Sequence, residues 1–258
     1  MTDIQFTEKT LTLDGRPFRY LIAGEGPPLV CLQDIGGLNP SQALMLLARS
    51  HKVIIVEFPL LGASHKRRHD RDEIVRALLC LLQKLGLTNF NLWAKSFAAQ
   101  IAFCLASQHK DLVRTLLVCG PVALDSSSLG QIQKEAERQS AKEKQSQYLD
   151  VLTVKVPSEQ RAFVLNLFGS PVESEFAAHL EALDCPTLIL CGTRDQISPP
   201  IYGRVYKEIM PKSNLVMIYD AGHDMDNERP EAVVEVVSDY IERHDSFLVT
   251  RQDGIINP

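Results

Sequence analysis

The chain reads as an α/β protein, a mostly parallel sheet flanked by helices, and three observations predict it. Continuous apolar runs rich in β-branched residues, such as Val53-Ile54-Ile55-Val56, have the pattern of strands buried on both faces. Stretches such as Asp72 to Gly86 switch to helical spacing, with Ile74, Leu78, Leu81, Leu82 and Leu85 on one side and Gly86 as the stop. The two patterns alternate along the chain, which is the mark of a parallel sheet covered on both sides.

Taken in order, Phe18 to Ala23 and Leu29 to Leu32 read as strands separated by the turn cluster Gly24-Glu25-Gly26-Pro27-Pro28. Val53 to Val56 is the next strand, the helix Asp72 to Gly86 follows, and Asn89 to Trp93 returns to the sheet. Phe97 to Gln108 has helical spacing, so Ser96 falls at a strand-to-helix turn. Val113 to Cys119, Pro186 to Cys191 and Leu215 to Tyr219 repeat the strand signal. Pro230 to Arg243 closes the pattern as a helix with proline in its first turn.

The 258 residues, 45% hydrophobic and 23% charged, suit one domain with a packed core. That domain is expected to span 1–258, with a core of 1–125 and 185–258. Between them, about 126–184, helix formers and charges dominate and no strand precedes Cys185. This stretch is expected to be an inserted helical cap over the carboxyl edge of the sheet, where open parallel sheets place their ligands. Leu165, Leu167, Phe168 and Phe176 would either line its inner face or dock it on the core.

A formal net charge of −5 offers no basic field for a phosphate backbone, so no nucleic-acid partner is expected. The start, Met1-Thr2-Asp3-Ile4-Gln5, lacks the basic and apolar stretches of a secretory signal, and no run has the length of a membrane span. A cytoplasmic protein without a membrane partner is expected. The six cysteines, Cys31, Cys80, Cys104, Cys119, Cys185 and Cys191, lie scattered without metal-like or disulfide-like spacing and read as small core residues. No metal and no cofactor are expected, since neither a ligand cluster nor a phosphate-binding glycine loop is present in the sequence. Of the remaining histidines, only His179, within the cap, is placed to touch a substrate.

Three islands follow predicted strands: Ala94-Lys95-Ser96-Phe97-Ala98, Gly192-Thr193-Arg194-Asp195 and Gly222-His223. A serine hydroxyl needs a base within reach, and that base needs an anion to fix its tautomer. The order serine, acid, histidine at strand ends resembles that of the α/β-hydrolase fold, and the likeness extends over nearly the whole chain. Gly192 to Pro199 is similar to the acid loop of that family. Gly222-His223, with Glu228-Arg229-Pro230-Glu231 beyond it, is similar to its histidine and the following helix.

The resemblance implies Ser96 as nucleophile, His223 as base, Asp195 as its orienting anion, and the backbone N–H groups of Ile35 and Phe97 as the oxyanion hole. Asp224 and Asp226 are chain neighbours of His223, and the adjacent one is badly placed to reach its Nδ1. The family's G-x-S-x-G becomes A-K-S-F-A here, and its His-Gly oxyanion loop becomes Gln33-Asp34-Ile35-Gly36-Gly37. Glu57 to Ser64 lacks the first glycine of the corresponding family loop. An anion at Asp34 near a developing oxyanion would repel it by several kcal/mol at ~4 Å and an effective dielectric of about 20. Either Lys95 pairs with Asp34 or Asp34 turns out of the pocket; alternatively Lys95 points to solvent. Two functions follow. The first is a cofactor-independent serine hydrolase acting on a small ester, lactone or related carbonyl substrate, with C–C hydrolysis or lyase chemistry also open to the scaffold. The second is a weakened relative that binds a ligand or partner. The sequence leaves the oligomeric state open.

Overall fold

The computed structural model describes residues 4–13, 16–33, 38–57, 71–122, 179–210 and 212–244. Eight strands form one sheet: β1 (Thr7–Leu13), β2 (Arg16–Ala23), β3 (Pro28–Leu32), β4 (Lys52–Val56), β5 (Phe90–Lys95), β6 (Val113–Cys119), β7 (Thr187–Gly192) and β8 (Ser213–Ile218). Their spatial order is β1-β2-β4-β3-β5-β6-β7-β8. β1 and β2 run antiparallel at one edge, and β2 meets β4 antiparallel; every other pairing is parallel. The helices are α1 (Gln42–Leu47), α2 (Arg71–Lys84), α3 (Ala98–Gln108), α4 (Pro200–Ile209), α5 (Met225–Glu228) and α6 (Pro230–Arg243).

The alternation of side chains along each strand sorts the core into two layers. Val30, Ile54, Leu92, Leu116 and Ile189 face the side covered by α2, α3 and α4. Leu29, Val53, Trp93, Leu117 and Leu188 face the side covered by α1 and α6. Both layers exclude water, which is why the central strands carry apolar residues at consecutive positions. β7 is buried at all six positions.

Strand and helix boundaries agree with the sequence reading within a few residues, and the fold class is as expected. Four elements were not foreseen: β1, α1, α4 and α5. The cap expected over about 126–184 lies outside the described residues except for 179–184, as do Leu165, Leu167, Phe168 and Phe176 and most of the Glu57–Ser64 loop. Within 179–184, Leu180 and Leu183 are buried in the α2–α3 layer.

Five cysteines are buried and all six are free thiols, but Cys80 is exposed. It sits in α2, whose buried side is formed by Ile74, Val75, Leu78, Leu81 and Leu82. Among the described residues no helix is long and apolar enough to cross a membrane.

Candidate active site

Parallel strands end together, so the loops leaving β5, β7 and β8 meet at the carboxyl edge of the sheet. Ser96 follows β5 directly and adopts a left-handed φ of 54°. That conformation is uncommon outside glycine and costs on the order of 1 kcal/mol or more. It is held by the Ser96 N–H donating to the Cys119 carbonyl at 2.9 Å and by the immediate start of α3. Ala94 and Ala98, where the family pattern has glycine, are completely buried, and the turn forms with both β-carbons in place.

The acid loop is fixed from two sides. The Asp195 Oδ1 accepts from the backbone N–H groups of Ile197 and Ser198, both at 2.8 Å, and the Ser198 hydroxyl donates to the Pro121 carbonyl. Its Oδ2 lies 2.8 Å from His223 Nδ1, and His223 Nε2 lies 3.0 Å from Ser96 Oγ. A carboxylate only accepts, so the proton sits on Nδ1 and the Nε2 lone pair faces the Ser96 hydroxyl. Hydroxyl, imidazole and carboxylate thus form a continuous line. Ser96 and Asp195 are buried, and the His223 side chain is nearly so.

Two glycines let the loops approach. A β-carbon on Gly192, at the end of β7, would stand 2.3 Å from the Gly222 carbonyl oxygen and 2.4 Å from that of Ala221. This contact brings the acid loop against the histidine loop, and Thr193 and Arg194 donate backbone N–H groups to Ile218 and Ala221 across the gap. Gly120, at the end of the intervening β6, has φ of +53°, and a β-carbon there would lie 3.1 Å from His223 Cε1 and Nδ1 and 3.2 Å from Asp195 Oδ2. The sequence reading missed both roles. The available signal was a glycine directly after, or closing, a buried strand.

Of the other expected site residues, Phe97 caps the amino end of α3 with its side chain buried. Asp34 and Ile35 lie outside the described residues. Lys95 does not face solvent: its ammonium is 2.5 Å from Asp224 Oδ1 and 2.5 Å from Asp226 Oδ1. Burial works against its charge, and the carboxylates of Asp226 and Asp224 outweigh burial, so its pKa lies above the ordinary lysine value. The two aspartates therefore serve Lys95, and Asp195 faces the imidazole. His179 is also placed away from the serine. Its Nδ1 lies 3.1 Å from the Ser107 hydroxyl, at the far end of α3 and about 16 Å along the helix from Ser96.

Burial raises the Cys191 thiol to about 12 and the Cys185 thiol to about 11, so neither supplies a thiolate at neutral pH. Among the described residues no cluster of His, Cys, Asp and Glu has the arrangement of a metal site. The Ser96 hydroxyl, by contrast, stands 3.0 Å from an imidazole nitrogen.

Comparison with known proteins agrees with this architecture. The uncharacterized hydrolase YugF of Bacillus subtilis (strain 168) is 22% identical over 245 residues, covering 83% of this chain and 89% of its own. The structure of the esterase RhEst1 from Rhodococcus sp. ECU1013 superposes with a TM-score of 0.69 at 20% identity, covering 94% of this chain and 100% of the esterase. The enol-lactonase from Burkholderia xenovorans LB400 gives a TM-score of 0.69 at 17% identity, covering 91% and 100%. The family model for the alpha/beta hydrolase fold matches residues 27–158, from the start of β3 through the serine turn and beyond. With half the chain matched and the serine, acid and histidine loops at the carboxyl edge of its sheet, the chain belongs to the alpha/beta hydrolase fold family.

Proposed function

We propose that the protein is a serine hydrolase acting on a small ester, lactone or related carbonyl compound, with Ser96, His223 and Asp195 as its catalytic residues. The observation that carries this reading is the line of contacts from Ser96 Oγ to His223 Nε2 and from His223 Nδ1 to Asp195 Oδ2, at 3.0 and 2.8 Å. As Ser96 Oγ attacks the carbonyl carbon, its proton passes to Nε2 and the carbonyl electron pair moves onto oxygen. The amino end of α3 and the Phe97 amide favour that oxyanion, with the Ile35 amide as second donor. Asp195 steadies the imidazolium. Collapse of the intermediate breaks the bond to the leaving oxygen, which takes the proton from Nε2. Water, deprotonated at Nε2, then attacks the acyl carbon and frees the acid, restoring Ser96. In a lactone the leaving hydroxyl stays tethered to the acyl group. The esterase and lactonase names of the structural neighbours support an oxygen ester as substrate, and the fold alone does not choose among chemistries.

The test is covalent labelling with a fluorophosphonate, which requires an activated hydroxyl. Labelling at neutral pH is expected, with loss in Ser96→Ala and a matching loss of p-nitrophenyl acetate hydrolysis. Folded protein that takes no label would overturn the hydrolase reading in favour of a binding role.

A further inference from the structure

Lys95 is the last residue of β5, directly before Ser96, and its ammonium is paired with two carboxylates of the segment after His223. Asp224 directly follows His223, and Asp226 lies in the first turn of the short helix α5. The Lys95 and Asp226 side chains are only 13% and 2% exposed, whereas that of Asp224 is 56% exposed. The segment after His223 is therefore tied to the serine turn by two ion pairs across 129 and 131 residues of sequence, and water hardly reaches the second, Lys95–Asp226. We propose that Lys95 is a positioning residue of this site: it clamps the histidine segment to the serine turn and masks the charge of Asp224 and Asp226 from the His223 imidazole. The proposal rests on the hydrolase reading for its catalytic meaning, though not for its electrostatics.

The sign follows from the charges. Among the described residues the cluster that follows His223 joins two carboxylates to one ammonium; removing the ammonium makes it one charge more negative and favours imidazolium, while removing one carboxylate makes it one charge more positive and favours the neutral ring. Among the described residues the other charged groups near this point are Asp195, on Nδ1 itself, Glu228, which accepts from the Gly222 N–H, and the Arg194–Asp220 pair on the neighbouring loops. The Cys31 thiol, on β3, and the Cys119 thiol, on β6, also face Asp226, and burial keeps both neutral. All of these stay unchanged in the variants below. A neutral Nε2 is needed to accept the serine proton, so masking keeps the base active at neutral pH.

The experiment is an NMR titration of the His223 ring in the parent, Lys95→Met and Asp224→Asn, assigned by difference from His223→Gln, alongside the acidic limb of kcat/KM for p-nitrophenyl acetate. Lys95→Met is expected to raise the imidazole pKa by about one unit and Asp224→Asn to lower it by about half a unit. The kinetic limb should follow each. Opposite shifts from two charge removals are a signature that loss of packing cannot produce. Unmoved titrations in both variants, or shifts in one direction, overturn the proposal. Should Lys95→Met fail to fold, Asp224→Asn decides alone, since it leaves the buried Lys95–Asp226 pair intact. Ring shifts as expected in a parent that neither hydrolyses the ester nor takes the fluorophosphonate would sustain the masking and overturn the hydrolase reading.

Discussion

At Gly120 the backbone, not a side chain, shapes the site. The residue directly follows β6, between the strands that lead to Ser96 and Asp195, and the His223 ring lies 3.1 Å from where a β-carbon would be. Gly120→Ala therefore has two costs: a left-handed φ for an L-residue, and a methyl 3.1 Å from the imidazole. We expect a loss of about 1–2 kcal/mol in stability by urea denaturation and at least a roughly tenfold fall in kcat/KM, because small displacements of a base are expensive. A variant with full activity would show that the ring has room the structure does not provide. That Ser96, Asp195 and His223 come together was legible in the sequence because each lies in a loop that follows a strand of one parallel sheet. Gly120 was not, because a glycine after a strand is common and its purpose is visible only once the imidazole occupies the gap. The pairing of Lys95 with Asp224 and Asp226 escaped for a related reason: these partners lie far off in sequence, and no local pattern announces an ion pair of that separation.

The serine turn shows how much a supersecondary element depends on glycine. β5 and α3 approach with Ala94 and Ala98 fully buried, so the methyl groups fill space that a family glycine would leave empty. Restoring glycine should remove packing and loosen the backbone. Ala94→Gly and Ala98→Gly are each expected to lower stability by about 1 kcal/mol without raising kcat/KM. A marked gain in kcat/KM for either would mean that alanine strains the turn away from its productive shape. Elements of this kind were predicted where length and burial reinforced each other, as in β4, β7 and α2. β1 escaped because its first four positions are exposed and its sequence, Thr7-Glu8-Lys9-Thr10, lacks an apolar run; its pairing with β2 supplies what its side chains do not. α1 escaped because it has six residues, fewer than two turns, and depends on the Ser41 hydroxyl capping the Leu44 N–H. α4 begins at Pro200, inside what reads locally as the continuation of the acid loop.

For the molecule as a whole, stability on acidification is set in part by a histidine remote from the serine. His51 lies in the turn between α1 and β4, nearly buried, with Nδ1 2.9 Å from the Ser50 hydroxyl. Its backbone carbonyl also sits against Gly24, where a β-carbon would be 2.2 Å away. Burial is the largest influence and lowers its pKa below the ordinary histidine value, against smaller opposing effects from a backbone hydrogen bond to Leu47 and the charge of Glu242. The unfolded chain therefore binds a proton at this position at a pH where the folded chain does not. Stability from this group is fully present above the unfolded pKa of about 6.5 and is lost as pH falls through the lower folded value. The urea midpoint should thus fall between pH 7 and pH 5, and His51→Gln, which keeps a polar side chain without a titrating ring, should flatten that slope. The fluorophosphonate reaction of Ser96, measured at pH 7, should be unaffected by the same change, because the turn contributes no group to the line of side chains at the carboxyl edge. An unchanged slope in His51→Gln would assign the acid sensitivity to other groups and show that the ring takes up its proton in the folded state as readily as in the unfolded one.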